Sequence, residues 1–185
     1  AMPMVLVGVV LLLDIGQILW HGFPYHFYGP DVRYAIAKTE LLLDGFLFRD
    51  PVTGVPTFHP VGYHLFLAVF RLIGIAWKPL LIAVSLTTIT ATFYFTYRIL
   101  RRLFDARIAA FTVLLLPFIH EYASNIQLLL PTGSMVSIPF FLAGLDRYLQ
   151  SDRTSPQLVV IGFLWSVAFI FSPWLLFLLV LLVIR

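Results

Sequence analysis

Residues 21–74 read HGFPYHFYGPDVRYAIAKTELLLDGFLFRDPVTGVPTFHPVGYHLFLAVFRLIG, and this stretch, the polar segment, is the long part of the chain that mixes polar and apolar side chains. It holds four of the five histidines. Its charged residues between positions 31 and 50 are Asp31, Arg33, Lys38, Glu40, Asp44, Arg49 and Asp50. The rest of the chain is mostly apolar. We therefore expect any chemistry that this protein performs to lie in the polar segment.

The composition around that segment indicates a membrane protein. Charged side chains make up 11% of the residues, whereas 61% are hydrophobic and 16% are aromatic. A soluble domain carries roughly a quarter charged residues, so the deficit is large. The net charge is +3, and no basic run resembles a nucleic-acid-binding arm. The chain contains no cysteine, so a thiolate nucleophile, a thiolate metal site and a disulfide framework are excluded.

Five apolar stretches outside the polar segment are predicted to cross a bilayer within one transmembrane domain, residues 1–185. A helix rises about 1.5 Å per residue, and the hydrocarbon core is roughly 30 Å thick. The first stretch has no basic n-region and no small-residue cleavage site, which favours a span over a signal peptide. The last stretch is interrupted at Ser172-Pro173, as either one kinked span or two half-length helices. The predicted spans are residues 2–20, 77–100, 107–122, 134–150 and 157–184.

Two shorter helices are predicted inside the polar segment. Residues 31–44 repeat apolar side chains with a period near 3.6, begin after Gly29-Pro30 and stop at Gly45. A second helix over residues 60–74 is apolar but too short for a span. Both helices are therefore expected to lie in the plane of the membrane interface.

Arginine clusters predict the orientation of the chain. Residues 98–107 and 147–153 are rich in arginine, and short basic connections face the cytoplasm. This rule places the loop of residues 21–76 outside, provided that the helix over 60–74 does not cross, and leaves the N-terminus in the cytoplasm. The expected location is a bacterial inner membrane or plasma membrane.

Each candidate residue, taken alone, has an ordinary structural explanation. Asp31 at a helix start can cap the helix, because a carboxylate accepts backbone N–H bonds and complements the helix dipole. His59 precedes a helix start, and His64 suits an interfacial position. Glu121 stands alone in its loop and is expected to be solvated. No histidine pair has ligand spacing, so neither a metal ion nor another cofactor is expected.

The order of these parts resembles a known family. The residues that carry the resemblance are Asp31, Tyr34-Ala35, Leu42-Leu43-Asp44-Gly45, residues 49–54, His59-Pro60, Tyr63-His64, Arg101-Arg102-Leu103-Phe104, residues 117–122 and Ser124. Together they are similar to the N-terminal part of the GT-C fold membrane glycosyltransferases, such as protein O-mannosyltransferases and lipid A aminoarabinose transferases. The resemblance extends from Leu11 to about Arg185.

The resemblance implies an all-α polytopic transmembrane fold with interfacial helices in the first outer loop. It implies that Asp31 is the catalytic general base or orients the acceptor, and that the donor is a sugar linked to polyprenyl phosphate. The substrate-binding residues that it suggests are Arg33, Tyr34, Lys38, His59, Tyr63, His64 and Glu121. Arg33 and Lys38 suit the leaving phosphate, although contact with lipid headgroups is the favoured interpretation of both. Membrane lipids and other membrane subunits are the expected partners.

Three departures from the family pattern leave a second hypothesis open. Val32 follows Asp31 where the family often has a glutamate, residues 125–127 lack an acidic residue, and Ser172 stands where a lysine often precedes the proline. A non-catalytic membrane subunit, which keeps the fold and holds partner helices or lipids in a larger complex, would show the same departures. A small transporter or lipid-binding protein is a third hypothesis.

Overall fold

A computed structural model describes residues 30–46, 49–55, 61–115, 133–151 and 154–175, together with four separate positions between residues 5 and 12. Every regular element in these ranges is an α-helix, which confirms the all-α class for this part of the chain. The six helices are α1 (Pro30–Leu43), α2 (Gly62–Leu72), α3 (Trp77–Leu103), α4 (Ala106–Leu115), α5 (Gly133–Gln150) and α6 (Ser155–Phe171). Most of the predicted span 2–20, the end of the span 107–122 and the residues after 175 lie outside the described ranges.

Helix α3 is the one helix within the described ranges that is long and apolar enough to cross a membrane. It has 27 residues and is therefore about 40 Å long. Pro79 lies in its first turn, where proline is tolerated because the first backbone N–H groups have no partner inside the helix. Arg101 and Arg102 lie in its last turn and complement the helix dipole. The crossing of α4, α5 and α6 stays a prediction.

Two hydrophobic clusters hold the helices together. The first joins α3 to α4, which follows after a connection of only Phe104 and Asp105. The second joins α1, α2, α3 and α5 and includes Val32, Leu67 and Leu81, whose side chains are almost fully buried. α1 and α2 therefore pack on the same assembly as the long helix. The first cluster consists of Ile89, Phe93, Tyr97, Ala109, Ala110 and Val113.

Helices α5 and α6 approach closely because α5 has a glycine at their contact. A Cβ atom added to Gly144 of α5 would stand 2.4 Å from the indole Nε1 of Trp165 in α6. The indole N–H donates a hydrogen bond to the carbonyl of Phe141, at 3.2 Å. Small residues at helix contacts are typical of membrane helix packing, where they let the backbones come together.

The outer surfaces of α4 and α6 are apolar. Side chains of α6 such as Val159 and Phe163 are 71% and 66% exposed, and Phe111 of α4 is 64% exposed. Soluble monomers rarely expose contiguous apolar patches of large size, so such a surface marks contact with a membrane or with another protein. Helix α6 ends at Phe171, and Ser172 adopts an extended backbone, so the helix stops at the predicted Ser172-Pro173 interruption.

Candidate functional site

The described part of the polar segment is a helix, a turn and a second helix, formed by α1, residues 49–55 and α2. Helix α1 begins with Pro30, whose fixed φ suits the first position of a helix. It ends in a Schellman motif, in which the N–H of Phe46 bonds to the carbonyl of Leu41 and the N–H of Gly45 to that of Leu42. Gly45 has a φ of +89°, which only glycine adopts readily. The motif turns the chain toward residues 49–55.

Asp50 organises the turn of residues 49–55. Its Oδ1 accepts hydrogen bonds from the N–H groups of Val52 and Thr53, at 2.9 and 2.8 Å, and from the hydroxyl of Thr53 at 3.1 Å. The hydroxyl of Tyr34 in α1 donates to its Oδ2 at 3.0 Å. The backbone N–H of Thr53, followed by the other donors, lowers the pKa of Asp50 from 3.8 to about 2 against the opposing effect of burial. Asp50 is therefore a carboxylate at neutral pH whose oxygens already have donors.

Lys38, one helical turn after Tyr34 in α1, contacts the same turn of residues 49–55. Its side chain is fully buried, and its Nζ donates a short hydrogen bond to the backbone carbonyl of Arg49. Tyr34 and Lys38 are four residues apart and so lie on one face of the helix. Both residues thus hold the turn against α1. Of the two basic residues predicted to meet the leaving phosphate, Arg33 is exposed and Lys38 is not.

Asp31, the predicted catalytic residue, is the second residue of α1, and its side chain lies outside the described part of the structure. Its backbone stands in the first helical turn, where the helix dipole favours an ionised carboxylate. Its neighbour Val32 is buried in the cluster shared with α2 and α3. The start of α1 is therefore fixed by packing against these two helices.

Helix α2 contributes an aromatic group to the face that meets α1. The ring of His64 lies 6.3 Å from the ring of Tyr34, at an interplanar angle of 65°, and 5.7 Å from the ring of Tyr63. Tyr63 and His64 are both buried, and desolvation raises the pKa of Tyr63 well above its usual range. Tyr34, Tyr63 and His64 are thus brought together, whereas His59 and Glu121 lie outside the described residues.

Glu40 ties the end of α1 to α2 and to the start of α3, a contact that the sequence does not predict. Its Oε1 accepts a hydrogen bond from the indole of Trp77 at 2.8 Å and lies 3.5 Å from Nε of Arg71. The guanidinium of Arg71 is also 5.0 Å from the centre of the Trp77 ring, within cation–π distance. Trp77 lies 37 residues from Glu40, so no local pattern signals the pair.

An apolar cavity of about 740 Å³ lies between α2, α3, α5 and α6. Ligand pockets of proteins range over roughly 300–1,000 Å³ and are lined mostly by apolar side chains. The only hydroxyl groups in this lining belong to two threonines of α3. The lining residues from α2, the connection after it and the start of α3 are Phe66, Phe70, Ile75, Pro79 and Leu80.

Within the described ranges, no group of three histidine or acidic side chains is placed to hold a metal ion. Comparisons with models of protein families, with curated proteins and with solved structures found no match to this chain. The resemblance to GT-C glycosyltransferases therefore rests on the order of residues in this sequence.

Proposed function

We propose that this chain is a GT-C-like membrane glycosyltransferase, or its N-terminal module, which transfers a sugar from a polyprenyl-phosphate donor to an acceptor on the outer face. The observation that carries the proposal is the apolar cavity, because α2 lines it and also holds Tyr63 and His64 of the candidate site. A polyprenyl chain is a hydrocarbon, and this cavity offers it an apolar, partly enclosed environment lined in part by the helix that carries Tyr63 and His64.

The same proposal embeds α3, α4, α5 and α6 in the bilayer as spans and lays α1 and α2 in the outer interface. The length of α3 and the exposed apolar faces of α4 and α6 support this arrangement. A lipid-linked phosphate lies at headgroup depth, so the group that activates the acceptor must be held at that depth. Interfacial helices packed on the spans meet this requirement.

Asp31 is the proposed general base. It takes the proton from the acceptor hydroxyl while the acceptor oxygen bonds to the anomeric carbon, and the bond from that carbon to the polyprenyl phosphate breaks with its electron pair. Arg33 is exposed and offers its charge to the leaving phosphate. Lys38 is occupied with the carbonyl of Arg49, so in this proposal it positions the turn rather than binding the donor.

The test is sugar transfer from a polyprenyl-phosphate donor by the full-length protein in membranes. Asp31 lies in the first turn of α1, where a carboxylate contributes only about 0.3–1 kcal/mol through the helix dipole, so Asp31→Asn removes the base at a small cost to the helix start. We expect turnover to fall by about 10²–10⁴-fold, the usual contribution of general-base catalysis, with unchanged expression. Asp31→Ser repeats the test with a second small, uncharged polar residue. Wild-type rates in both variants would remove Asp31 from the mechanism.

One set of contacts favours the second candidate, a non-catalytic membrane subunit. Tyr34 and Lys38, two of the predicted substrate-binding residues, make hydrogen bonds within the chain that a structural role explains. The exposed apolar face of α6 would then contact partner helices. A wild-type protein that binds the donor but transfers no sugar would support this candidate over the enzyme.

A further inference from the structure

A second cavity, of about 390 Å³, lies at the opposite end of α3 from the candidate site. Trp77, which contacts Glu40 of α1, opens the helix, whereas this cavity is built 17 to 25 residues further along. At about 1.5 Å per residue, the cavity lies roughly 30 Å from the start of α3, close to the thickness of a hydrocarbon core. We call it the arginine cavity. Its lining residues are Tyr94, Tyr97, Arg98, Arg101 and Arg102.

Asp146 of α5 fixes two of these arginines in place. Its carboxylate is almost fully buried, and it lies 3.1 Å from the guanidinium of Arg98 and 3.1 Å from Nε of Arg102. The side chain of Gln150 donates a third contact, at 2.6 Å. Arg98 is held from its other side, where it donates to the hydroxyl of Tyr94 at 3.1 Å. Both guanidinium groups are thus oriented before any ligand arrives.

The charges in the arginine cavity do not balance. Three arginines face one carboxylate, which leaves a net charge of 3 − 1 = +2. Arg101 is exposed and makes no ion pair with any residue that the structure describes. Asp105 follows the end of α3 and does not line the cavity; its carboxylate accepts the N–H groups of Arg107 and Ile108 at the start of α4. The C-terminus of α3 supplies only about half a negative charge.

We propose that the arginine cavity binds a phosphate group, either in the headgroup of an anionic phospholipid or in a free phosphate compound. Guanidinium groups present paired N–H donors that match phosphate oxygens, and a partly enclosed site strengthens the attraction. Clusters of basic residues at the cytoplasmic end of a membrane-spanning helix are typical sites for anionic headgroups. The lipid source rests on α3 crossing the membrane, as the proposed function does, but the site is independent of sugar transfer.

The test measures binding to the full chain purified in a zwitterionic detergent, with native mass spectrometry to count bound ligand. Separate arms use phosphatidylglycerol, phosphatidylcholine and inorganic phosphate. The variant is Arg101→Gln, which leaves the buried contacts of Asp146 intact, and the matched control is Arg107→Gln, an exposed arginine outside the cavity. Arg101→Lys serves as a second variant that keeps the charge but loses the paired donors.

We expect phosphatidylglycerol to bind more tightly than phosphatidylcholine, and Arg101→Gln to weaken that binding about fivefold. Arg107→Gln should leave it unchanged, and Arg101→Lys should fall between wild type and Arg101→Gln. If inorganic phosphate shows the same dependence on Arg101 and the lipid does not, the ligand is a free phosphate compound. Equal binding by Arg101→Gln and Arg107→Gln in every arm would overturn the proposal, whether or not those variants transfer sugar.

Discussion

At the scale of single residues, the candidate site is held by side chains whose polar atoms already have partners in the chain. Asp50 accepts from two backbone N–H groups and two hydroxyls, and Lys38 donates to a backbone carbonyl. Such contacts fix the turn of residues 49–55 against α1. The strength of that attachment depends on the ionisation of Asp50 and on the buried Nζ of Lys38.

The depressed pKa of Asp50 predicts acid sensitivity of the turn. The folded pKa is about 2 and the ordinary value is 3.8, so the carboxylate stabilises the folded turn fully above pH 3.8. This contribution is lost as the pH falls from 3.8 toward 2. Hydrogen exchange of the amides of Val52 and Thr53, followed by mass spectrometry, should accelerate across that window beyond the intrinsic pH trend. Asp50→Asn should remove the pH dependence, and an unchanged profile in this variant would contradict the assignment.

Replacement of Lys38 by methionine should destabilise the fold by about 0.5–1.5 kcal/mol, because the part-buried hydrogen bond from its Nζ to the carbonyl of Arg49 is lost. Methionine retains the apolar stem and the packing. The matched control is Arg33→Met in the same helix, which is exposed and should change stability by less than about 0.5 kcal/mol. Denaturant unfolding in detergent micelles measures both variants. Equal stabilities would show that the Lys38 contact does not hold the turn.

At the scale of elements, sequence patterns predict helices better than they predict contacts. The period of residues 31–44 and the glycine after them are local signals, and the structure has a helix over Pro30–Leu43. The contact of Tyr34 with Asp50 spans 16 residues, and no local pattern encodes it. Lysines are almost never fully buried unless paired, so the sequence favours an accessible Lys38, yet its side chain is fully buried on a carbonyl. The apolar cavity is formed by four helices together, so no single stretch of the sequence predicts it.

The contact between α5 and α6 gives a prediction with an internal control. Gly144→Ala puts a methyl group against the indole of Trp165 and displaces it from the carbonyl of Phe141, which should cost about 1–3 kcal/mol. Gly162→Ala in α6 meets no atom within 4 Å and should stabilise the helix by about 0.5–1 kcal/mol. Thermal unfolding of both variants in one detergent compares them directly. A Gly144→Ala protein as stable as Gly162→Ala would refute the close approach.

At the scale of the whole molecule, the proposed arrangement places the two ends of α3 on opposite sides of a membrane. The chain has no cysteine, so single cysteines can be introduced without removing any. Thr53 is exposed in the turn beside α1, and Phe104 is 53% exposed beyond the end of α3. Thr53→Cys should react with an impermeant thiol reagent added to intact cells, whereas Phe104→Cys should react only after the membrane is opened. Reaction of both from outside would exclude the crossing of α3.

The two-residue connection between α3 and α4 also bears on how the chain is made. The connection consists only of Phe104 and Asp105, so α4 folds back on α3. The hydrophobic cluster that the two helices share joins residues that are close in sequence. Such local contacts form early, because little loop entropy opposes them. In the proposed arrangement, α3 and α4 then enter the bilayer as a preassembled hairpin before the translating ribosome has released α5. In pulsed hydrogen exchange during synthesis, we expect the amides of this hairpin to gain protection first, so that later helices assemble on a partner already in place.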